Sequence, residues 1–264
     1  MGTGCRRAIL FLLFSPLFGT GFAQTETPVK VDKPLKSYSH WYFGAEYGVP
    51  FLFGDFTSFS ADKNYVGSQF GGFIGYQVNS WIGIEASART GYTRMGAKSY
   101  AGDYLMNADG MTYYTNQDFN TWKYKDVFSK VHFTNIGLQM NLNVNNFFGP
   151  NRGNRRWTVL LSPAVYAQHF STELINKADK SPLSGKKTDK WNIGIGGDVS
   201  LRYKISRAFD VQLRTGIIWV NNNKMDGIST LIKSKDHFMT SAGLSLIWKV
   251  GKKKEDNVLY ASRR

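Results

Sequence analysis

The sequence predicts an all-β fold, namely an eight-stranded antiparallel up-and-down transmembrane β-barrel. Eight stretches of roughly 8 to 14 residues alternate apolar with small or polar residues, and a period of two is typical of strands. The segments between them alternate between long and short, as the loops and turns of membrane barrels do. The non-apolar face carries Gly, Asn, Gln and charged residues, which have too little bulk for a water-excluding core. We therefore expect the apolar face to contact lipid.

The first three stretches contain the clearest hairpin. Residues 42–49 place apolar and aromatic side chains at odd positions, with glycines and a glutamate between them. Residues 69–78 and 82–92 alternate in the same way and are separated by a turn that contains Asn79 and Ser80. A connection this tight predicts an antiparallel pair.

The later stretches follow the same pattern. Residues 131–144 alternate most regularly, whereas 157–169 is interrupted by Pro163, a residue otherwise found at sheet edges and bulges. The remaining stretches are 191–205, 209–220 and 237–250. A strand tilted by about 45° crosses a bilayer with about 9–11 residues, and every backbone group inside hydrocarbon must be paired. These lengths therefore predict a sheet that closes on itself.

A glycine cluster in one of these stretches has a competing interpretation. Gly194, Gly196 and Gly197 are followed by Asp198, a pattern that can cradle a phosphate. A dinucleotide-binding loop needs a helix after the glycines, whereas the alternation here continues to Ile205. We therefore expect the glycines to leave room for bulky neighbours in a narrow barrel and Asp198 to pair with an interior arginine.

Charge restricts the class of partner. The formal net charge of the 264-residue chain is +14, and removing Arg6 and Arg7 with the first 23 residues, which contain no acid, leaves 14 − 2 = +12. Excess positive charge favours anionic partners. For an exported chain we expect phosphorylated lipid head groups or acidic polysaccharide, and no nucleic acid.

The amino terminus predicts export. Arg6 and Arg7 precede a short apolar run, and small residues occupy the −3 and −1 positions before Gln24, which is typical of a secretory signal peptide over residues 1–23. A helical signal anchor is the alternative, but the apolar run is short for a span. The single cysteine, Cys5, leaves with the signal, which excludes disulfides, thiolate zinc sites and cysteine nucleophiles from the mature chain.

The face opposite the apolar one predicts a charged lumen. An eight-stranded barrel is just wide enough for its side chains to fill it, and opposite charges there should pair. The predicted lumen network comprises Glu46, Glu85, Arg89, Asp198, Arg202, Asp210 and Arg214, with Lys249 as a further candidate. A salt-bridged plug is the favoured interpretation, and a gated ion pathway is the alternative.

Aromatic residues near the strand ends predict interfacial girdles. The candidates are Trp41, Tyr42, Tyr92, Trp157, Trp191, Tyr203, Phe209, Trp219 and Trp248. Such residues mark the two membrane interfaces of a barrel. The competing explanation is that aromatic residues simply favour strands.

Four segments carry a family resemblance, namely "GIEASARTGY" at 83–92, "NIGLQMNLNV" at 135–144, "GIGGDVSLRYKI" at 194–205 and "AGLSLIWKV" at 242–250. Through them the chain resembles the outer membrane β-barrel domain family, which includes eight-stranded barrels similar to the transmembrane domains of OmpA and OmpX. It implies an outer membrane location, monomeric state, contact with outer membrane lipids including lipopolysaccharide phosphates, and insertion by the barrel assembly machinery. A glutamine directly after the predicted cleavage site, here Gln24, resembles the pattern in exported proteins of the Bacteroidota.

The carboxyl terminus departs from the family pattern. Members usually end on the aromatic residue of the last strand, whereas Trp248 is followed by residues 251–264, too short for a peptidoglycan-binding domain. The expected organisation is therefore a signal peptide (1–23), a flexible N-terminal lead-in (24–40), an outer membrane β-barrel (41–250) and a basic periplasmic tail (251–264).

Few residues suggest chemistry. His169 and Ser171, with Glu173, are similar to the His-x-Ser motif of lipid A deacylases and would act as base, nucleophile and orienting carboxylate. A second pair, His132 and Thr134, has the same spacing. The simpler interpretation is that these are rim histidines bonded to water.

The sequence predicts no cofactor and no metal site, because the four histidines are scattered without a second ligand at the right spacing. The long segment 100–126 could bind calcium, sugar or protein, or be a solvated loop. We therefore expect a non-enzymatic barrel with a structural, adhesion or loop-mediated binding role. A narrow pore for small solutes and a lipid A hydrolase are the alternatives.

Overall fold

The computed structural model describes residues 38–54, 64–96, 105–107, 112–113, 121–148, 155–183, 188–221, 225–227, 237–251 and 256–260. The predicted signal peptide (1–23) and most of the predicted lead-in, residues 24–37, lie outside these ranges. Within the described part of the chain, no helix is both long and apolar enough to span a bilayer.

The described strands, in chain order, are β1 (Tyr38–Ser39), β2 (Trp41–Phe53), β3 (Asn64–Gln77), β4 (Ile82–Gly96), β5 (Leu105–Asn107), β6 (Thr112–Tyr113), β7 (Thr121–Lys123), β8 (Val127–Asn143), β9 (Trp157–Asn176), β10 (Thr188–Lys204), β11 (Phe209–Val220), β12 (His237–Lys249) and β13 (Asp256–Asn257). One α-helix, α1 (Val144–Phe148), and two 3₁₀ turns (Tyr124–Asp126 and Val258–Tyr260) complete the described elements.

Eight of these strands form a closed barrel in the order β2-β3-β4-β8-β9-β10-β11-β12. Each pairs antiparallel with its neighbour in sequence, and β12 pairs back onto β2, which removes both free edges. The predicted fold class is therefore confirmed. The strands Phe209–Val220 and His237–Lys249 match the predicted limits to within one residue.

Both ends of the barrel can be identified from the connections. The turns 78–81 and 205–208, the helix α1 and the carboxyl end of β12 lie at one end, which we call the turn end. The long connections lie at the opposite end, the loop end. Part of the longest connection is described, and there β5, β6 and β7 form a small three-stranded sheet.

Over most of the wall, polar side chains point inward and apolar side chains point outward. On β8, for example, Asn135, Gln139 and Asn141 are buried, whereas Ile136 and Leu138 are 51% and 56% exposed. This arrangement is the reverse of a water-soluble protein and suits a wall surrounded by hydrocarbon. The predicted assignment of the apolar face to lipid agrees with this pattern.

The wall is longer at the loop end than the sequence predicts. Strand β8 begins at Val127 instead of residue 131, and β9 continues to Asn176 instead of 169. In this part the polarity reverses, because Val127 and Phe170 are fully buried inside the barrel while Lys130 points outward. We call residues 127–133 of β8 and 170–176 of β9, where most inward positions are apolar, the loop-end extension. The predicted strands stop within or before it because the expected alternation of polar inward and apolar outward residues does not continue there.

Pro163 sits inside β9 and is accommodated by a local gap in the ladder. The β8–β9 register is the same on both sides of the proline, with Gln139 opposite Ala164 and Leu142 opposite Leu161, but the residues between are not paired. On the other side Pro163 pairs in register with Gly197 of β10. Proline has no N–H to donate, so its strand loses bonding on one side only.

The glycine cluster lies within β10, paired on both sides, with no helix after it. A Cβ on Gly194 would lie 2.3 Å from Oε1 of Gln168, inside the lumen. Across the ladder, a Cβ on Gly216 would lie 1.8 Å from Oδ1 of Asp198. Glycine at these positions therefore leaves room for interior side chains, as the sequence predicts, and a phosphate-binding loop is ruled out.

Candidate functional site

The central feature of the lumen is a network of two arginines and three carboxylates. Arg89 Nε lies 3.2 Å from Oε1 of Glu46, and its Nη2 donates to Oδ2 of Asp198 at 3.1 Å. Arg214 Nη2 donates to Oε1 of Glu85 at 2.7 Å, and Nη1 lies 3.5 Å from Oε2 of Glu46. All five side chains are at most 3% exposed. The strands β2, β4, β10 and β11 are thereby joined across the barrel.

A third arginine balances the charge. Arg202 Nε donates to Oε1 of Gln212 at 2.8 Å, and its guanidinium lies 4.9 Å from the ring centroid of Tyr42. Tyr42 in turn donates to Oε2 of Glu85 at 3.0 Å. Three arginines therefore face three carboxylates in the middle of the lumen. A neutral balance is required because an unpaired charge in this interior is strongly destabilising.

Uncharged polar and aromatic side chains fill the space around this network. Asn141 Nδ2 donates to the Tyr42 hydroxyl at 2.8 Å and to Glu85 at 3.1 Å, and Gln139 Nε2 donates to Glu85 at 2.8 Å. The Phe73 ring lies 4.8 Å from the Arg214 guanidinium and contacts Tyr42 edge-on. The site is thus a packed plug, built on rigid strands.

All seven residues predicted for the lumen network are buried in the lumen, but they form two groups. Six belong to the central network, whereas Asp210 lies at the turn end, where it pairs with Lys249 at 2.5 Å. The sequence predicts Tyr42 in the aromatic girdle, and this prediction is wrong. Tyr42 is 0% exposed and points inward, because the alternation of β2 places even-numbered residues inside. Its partner across the lumen, Glu85, accepts its hydroxyl hydrogen.

The other girdle candidates lie on the outer wall. Near the turn end, Trp41, Trp157, Phe209 and Trp248 are exposed, and Tyr203 packs against Trp157 with ring centroids 4.5 Å apart. Near the loop end, Tyr92, Trp191 and Trp219 are exposed. These two groups flank the apolar band, which is the arrangement expected of interfacial girdles.

The tail closes the turn end of the lumen. Residues 256–257 pair in parallel with Tyr38–Ser39, and Asn257 to Tyr260 are buried. The Tyr260 hydroxyl donates to Oδ2 of Asp210 at 2.9 Å, and its ring lies 4.6 Å from Lys204 Nζ and 4.8 Å from Lys249 Nζ. Burial, reinforced by the Asp210 carboxylate, raises the pKa of Tyr260.

This closure differs from the expected flexible lead-in and basic tail. Tyr38 and Ser39 end the predicted lead-in in a strand, and Asp256 pairs with Lys204 of β10. The described part of the tail docks through an acid, an amide and an aromatic ring, whereas its basic residues lie outside the described ranges. We therefore call the pairing of β1 with β13, together with residues 258–260, the terminal clasp.

Apolar side chains fill the lumen at the loop end. The cluster comprises Leu52, Met95, Val127, Val131, Phe133, Ala164, Tyr166, Phe170, Leu174, Leu183, Ile218, Val220, Met225 and Met239. Beside it, Asp226 and His237 are buried with their side chains 3.9 Å apart. The lumen is therefore occupied by an apolar layer, a charged layer and the terminal clasp, in that order from loop end to turn end.

The candidate hydrolase residues lie on the outer wall near the loop end. His169, Ser171 and Glu173 occupy successive outward positions of β9, and His132 of β8 lies opposite Ser171 in the register. The His169 ring packs against Trp191, with centroids 5.0 Å apart. Successive outward positions of a strand are about 7 Å apart, so a row along one strand does not by itself assemble a hydrogen-bonded triad. In the ranges that the structure describes, no three His, Cys, Asp or Glu side chains are grouped to hold a metal ion.

Comparison with known proteins gives similarity in fold alone. No protein-family model matches the chain, and no curated protein is significantly similar in sequence. Solved structures similar to it include Neisserial surface protein A, with 10% identity, a TM-score of 0.47, and coverage of 80% of this chain and 97% of that one.

Two further structures resemble this chain to a similar degree. For Ail, the attachment invasion locus protein of Yersinia pestis, in complex with the heparin analogue sucrose octasulfate, the identity is 9% and the TM-score 0.45, with 81% and 100% of the two chains covered. For the outer membrane protein OprG from Pseudomonas aeruginosa the values are 10%, 0.41, 81% and 97%. At these identities and TM-scores, the likeness carries no conclusion about ligands or activity.

Proposed function

We propose that this protein is a non-enzymatic outer membrane barrel with a sealed lumen, which acts through its outer wall and its loop end instead of by transport. The single observation that carries the proposal is the filled lumen, in which an ion-paired layer lies between an apolar layer and the terminal clasp. A solute would have to separate Arg89 and Arg214 from three carboxylates. Breaking such buried pairs costs several kcal/mol.

The outer membrane is the proposed location because a closed barrel with an apolar outer band and a polar interior suits that bilayer. In that membrane the turn end faces the periplasm and the longer connections face outward. The signal peptide over 1–23 and a Bacteroidota origin remain predictions from the sequence. A role in adhesion or envelope integrity is the proposed outcome of presenting a rigid wall and loops at the cell surface.

Conductance in planar bilayers tests the sealed lumen. Protein refolded into detergent and inserted at single-molecule density should give no discrete openings over a range of voltages. Heat-modifiable migration on unboiled gels, measured on the same preparation, establishes that the silent protein is folded. Reproducible single-channel steps from folded protein would overturn the proposal and favour the small-solute conduit.

A second measurement addresses the enzymatic alternative. Mass spectra of lipid A from a host that expresses the protein should be the same as those from a host that expresses the Ser171→Ala variant. Loss of an acyl chain that depends on Ser171 would contradict the non-enzymatic assignment. Because Ser171 lies on the outer wall and not in the lumen, this variant leaves the plug intact.

A further inference from the structure

A cationic groove lies on the outer wall of the barrel at the loop end, apart from the lumen. It has a volume of about 430 Å³ and is lined by Arg94, Phe128, Lys130, Ile175, Lys177 and Lys180. We propose that this rim groove binds a phosphomonoester on the headgroup of a glycolipid in the surrounding leaflet. The assignment to the outer leaflet rests on the proposed function, whereas the binding site itself rests on the geometry below.

The groove lies just beyond the loop-end aromatic girdle. Arg94 is the next outward residue after Tyr92 on β4, and Lys130 is the next after His132 on β8. Arg94 and Lys130 are opposite each other in the β4–β8 register. Two residues advance about 7 Å along a strand, or about 5 Å along the membrane normal at a 45° tilt. This is the depth of lipid phosphates, since the interfacial region is about 5–7 Å thick on each side.

The floor of the groove is apolar. Phe128 and Ile175 are opposite each other on β8 and β9, and both are partly exposed. The Arg94 guanidinium lies 5.8 Å from the centroid of the Phe128 ring, which holds it over the groove. An apolar floor beneath cations suits an amphipathic molecule that carries a phosphate on a sugar and a hydrocarbon chain next to it. The floor would add nothing to the binding of a free inorganic ion.

The far wall is a structured turn after β9. The backbone N–H of Lys177 donates to the Asp126 carbonyl at 2.8 Å, and its Nζ donates to the Lys125 carbonyl. The Lys180 N–H donates to the Asn176 carbonyl at 3.0 Å, and Lys180 has a φ of 57°. A lysine in the left-handed region is uncommon, because Gly and Asn adopt it at lower cost. The turn therefore keeps a cation at a position where an uncharged residue would be less strained.

The charge around the groove is positive but not uniform. Glu173 is opposite Lys130 in the register and points outward, so it opposes an anion there. Asp179, in the turn, accepts hydrogen bonds from the N–H of Ser181 at 3.1 Å and from its hydroxyl at 2.8 Å. These bonds lower the pKa of Asp179, which is fully exposed, and direct its carboxylate to Ser181. Among the described residues, the four cations that line the groove therefore outnumber the carboxylate of Glu173 beside them.

Binding can be measured by native mass spectrometry of the refolded full chain, titrated with purified bisphosphorylated lipid A in detergent. Each Lys or Arg near a membrane phosphate strengthens binding by about fivefold. The variant Arg94→Gln/Lys130→Gln should therefore weaken binding by roughly ten- to thirtyfold. The matched control Arg156→Gln/Arg207→Gln removes two exposed cations at the turn end and should change binding by less than about twofold.

Two single variants separate charge from structure. Glu173→Gln removes the competing carboxylate and should strengthen binding by a few fold. Lys180→Asn removes a cation while keeping a residue that tolerates positive φ, so it should weaken binding without loss of folded protein on unboiled gels. If the double variant fails to fold, these two variants still decide the matter.

Comparing different ligands identifies the chemical group that the groove binds. Dephosphorylated lipid A should bind at least tenfold more weakly, and phosphatidylglycerol, a phosphodiester, should compete poorly. Millimolar inorganic phosphate should displace lipid A only in part. Equal losses in the double variant and its control, or equal binding of dephosphorylated lipid A, would overturn the proposal. Tight binding of phosphate alone, or displacement by an acidic polysaccharide, would assign the groove to a soluble anion instead. A conducting lumen would contradict the proposed function but leave this outcome unchanged.

Discussion

The membrane-embedded wall and the loop-end extension are built from the same strands but have opposite polarity. On β8, the inward residues Asn135 and Gln139 belong to the embedded part, whereas Val127 and Val131 belong to the extension. The outward residues change from Leu138 to Lys130 over the same distance. Each part places most of its apolar side chains away from water, in lipid below and in the barrel interior above, and Phe128 and Ile175 on the outer face of the extension are exceptions. The same sheet therefore suits lipid in one part and water in the other, because the face that carries most of the apolar side chains changes from the outer to the inner one.

The comparison also shows how each part is stabilised. The embedded interior depends on charge balance and hydrogen bonds, in which each group needs its partners. The interior of the extension depends on apolar packing, in which each side chain contributes by the volume it fills. Substitutions should therefore be severe for different reasons in the two parts.

The largest expected effect comes from breaking the charge balance. Arg214→Ala removes the cation that contacts Glu46, Glu85 and Asp198 and leaves those carboxylates with too few partners. We expect a loss of about 3–5 kcal/mol in the free energy of unfolding. Urea titration of protein folded in lipid vesicles, followed by tryptophan fluorescence, measures it. A loss below about 1 kcal/mol would show that the network is not desolvated as described.

Cavity formation in the extension should be nearly as costly. Phe170→Ala removes a ring that is 0% exposed in the loop-end cluster and leaves a cavity. We expect the free energy of unfolding to fall by about 3 kcal/mol, measured by the same titration. Leu138→Ala is the matched control in the embedded wall. Leu138 faces outward and is 56% exposed, so lipid can fill the space and the loss should be well under half as large. Equal losses would contradict the reversed polarity.

Two glycine-to-alanine variants on β3 compare the inward and outward faces of that strand. A Cβ on Gly75 would lie 2.0 Å from Tyr42, whereas a Cβ on Gly72 would have its nearest neighbour, a backbone oxygen, at 3.5 Å. Gly75→Ala should therefore cost about 1–3 kcal/mol, and Gly72→Ala should be near neutral. Urea midpoints for the pair provide the measurement. If both variants are neutral, Tyr42 is not fixed against Glu85.

The smallest effect concerns docking of the terminal clasp. The pKa of Tyr260 is raised above its ordinary value of about 10, so docking is at full strength below pH 10 and weakens as the pH rises further. At pH 11 the docking free energy should fall by about 1.4 kcal/mol. The Tyr260→Phe variant should lose about 1 kcal/mol at neutral pH and should lose less than the unaltered protein between neutral pH and pH 11.

Thiol labelling measures that docking. The predicted mature chain has no cysteine, so Val258→Cys introduces a single buried thiol, and Gly251→Cys provides an exposed reference for the intrinsic effect of pH on the thiolate. The ratio of the two labelling rates should rise from pH 9 to pH 11. An unchanged ratio, or the same rise in the Tyr260→Phe background, would contradict a role for the Tyr260 hydroxyl.

Much of the fold could be predicted from the sequence because the embedded wall obeys a single rule. Period-two alternation fixed which residues of each strand face inward, and the buried charges could then be identified from their type. Asp198 and Arg89 are an example, since the alternation alone predicts that each faces the lumen, and the two side chains form an ion pair there. The pairing partners could not be read from the sequence, because they depend on the register around a closed barrel.

The residues that the sequence missed share a physical cause. The sequence does not place Tyr42 in the lumen, because an aromatic residue at a strand end suits either an interface or a polar lumen that offers a hydrogen bond. Tyr260 and Asp256 were missed because their short segment has no alternation. The start of β8 was missed because alternation continues there with the opposite polarity. One signal could have identified it, namely Val127, Val131 and Phe133, three apolar residues at odd positions with only Ser129 interrupting them.

The terminal clasp determines an order of events in folding. Tyr38 and Asp256 are separated by 256 − 38 = 218 residues, so their pairing closes nearly the whole described chain into one loop. The entropy cost of such a loop is met only after the intervening hairpins have formed and β12 has reached β2. We therefore expect the clasp to form after the barrel has closed and to be released without opening of the barrel. A docked clasp at the turn end therefore indicates that the sheet has already closed.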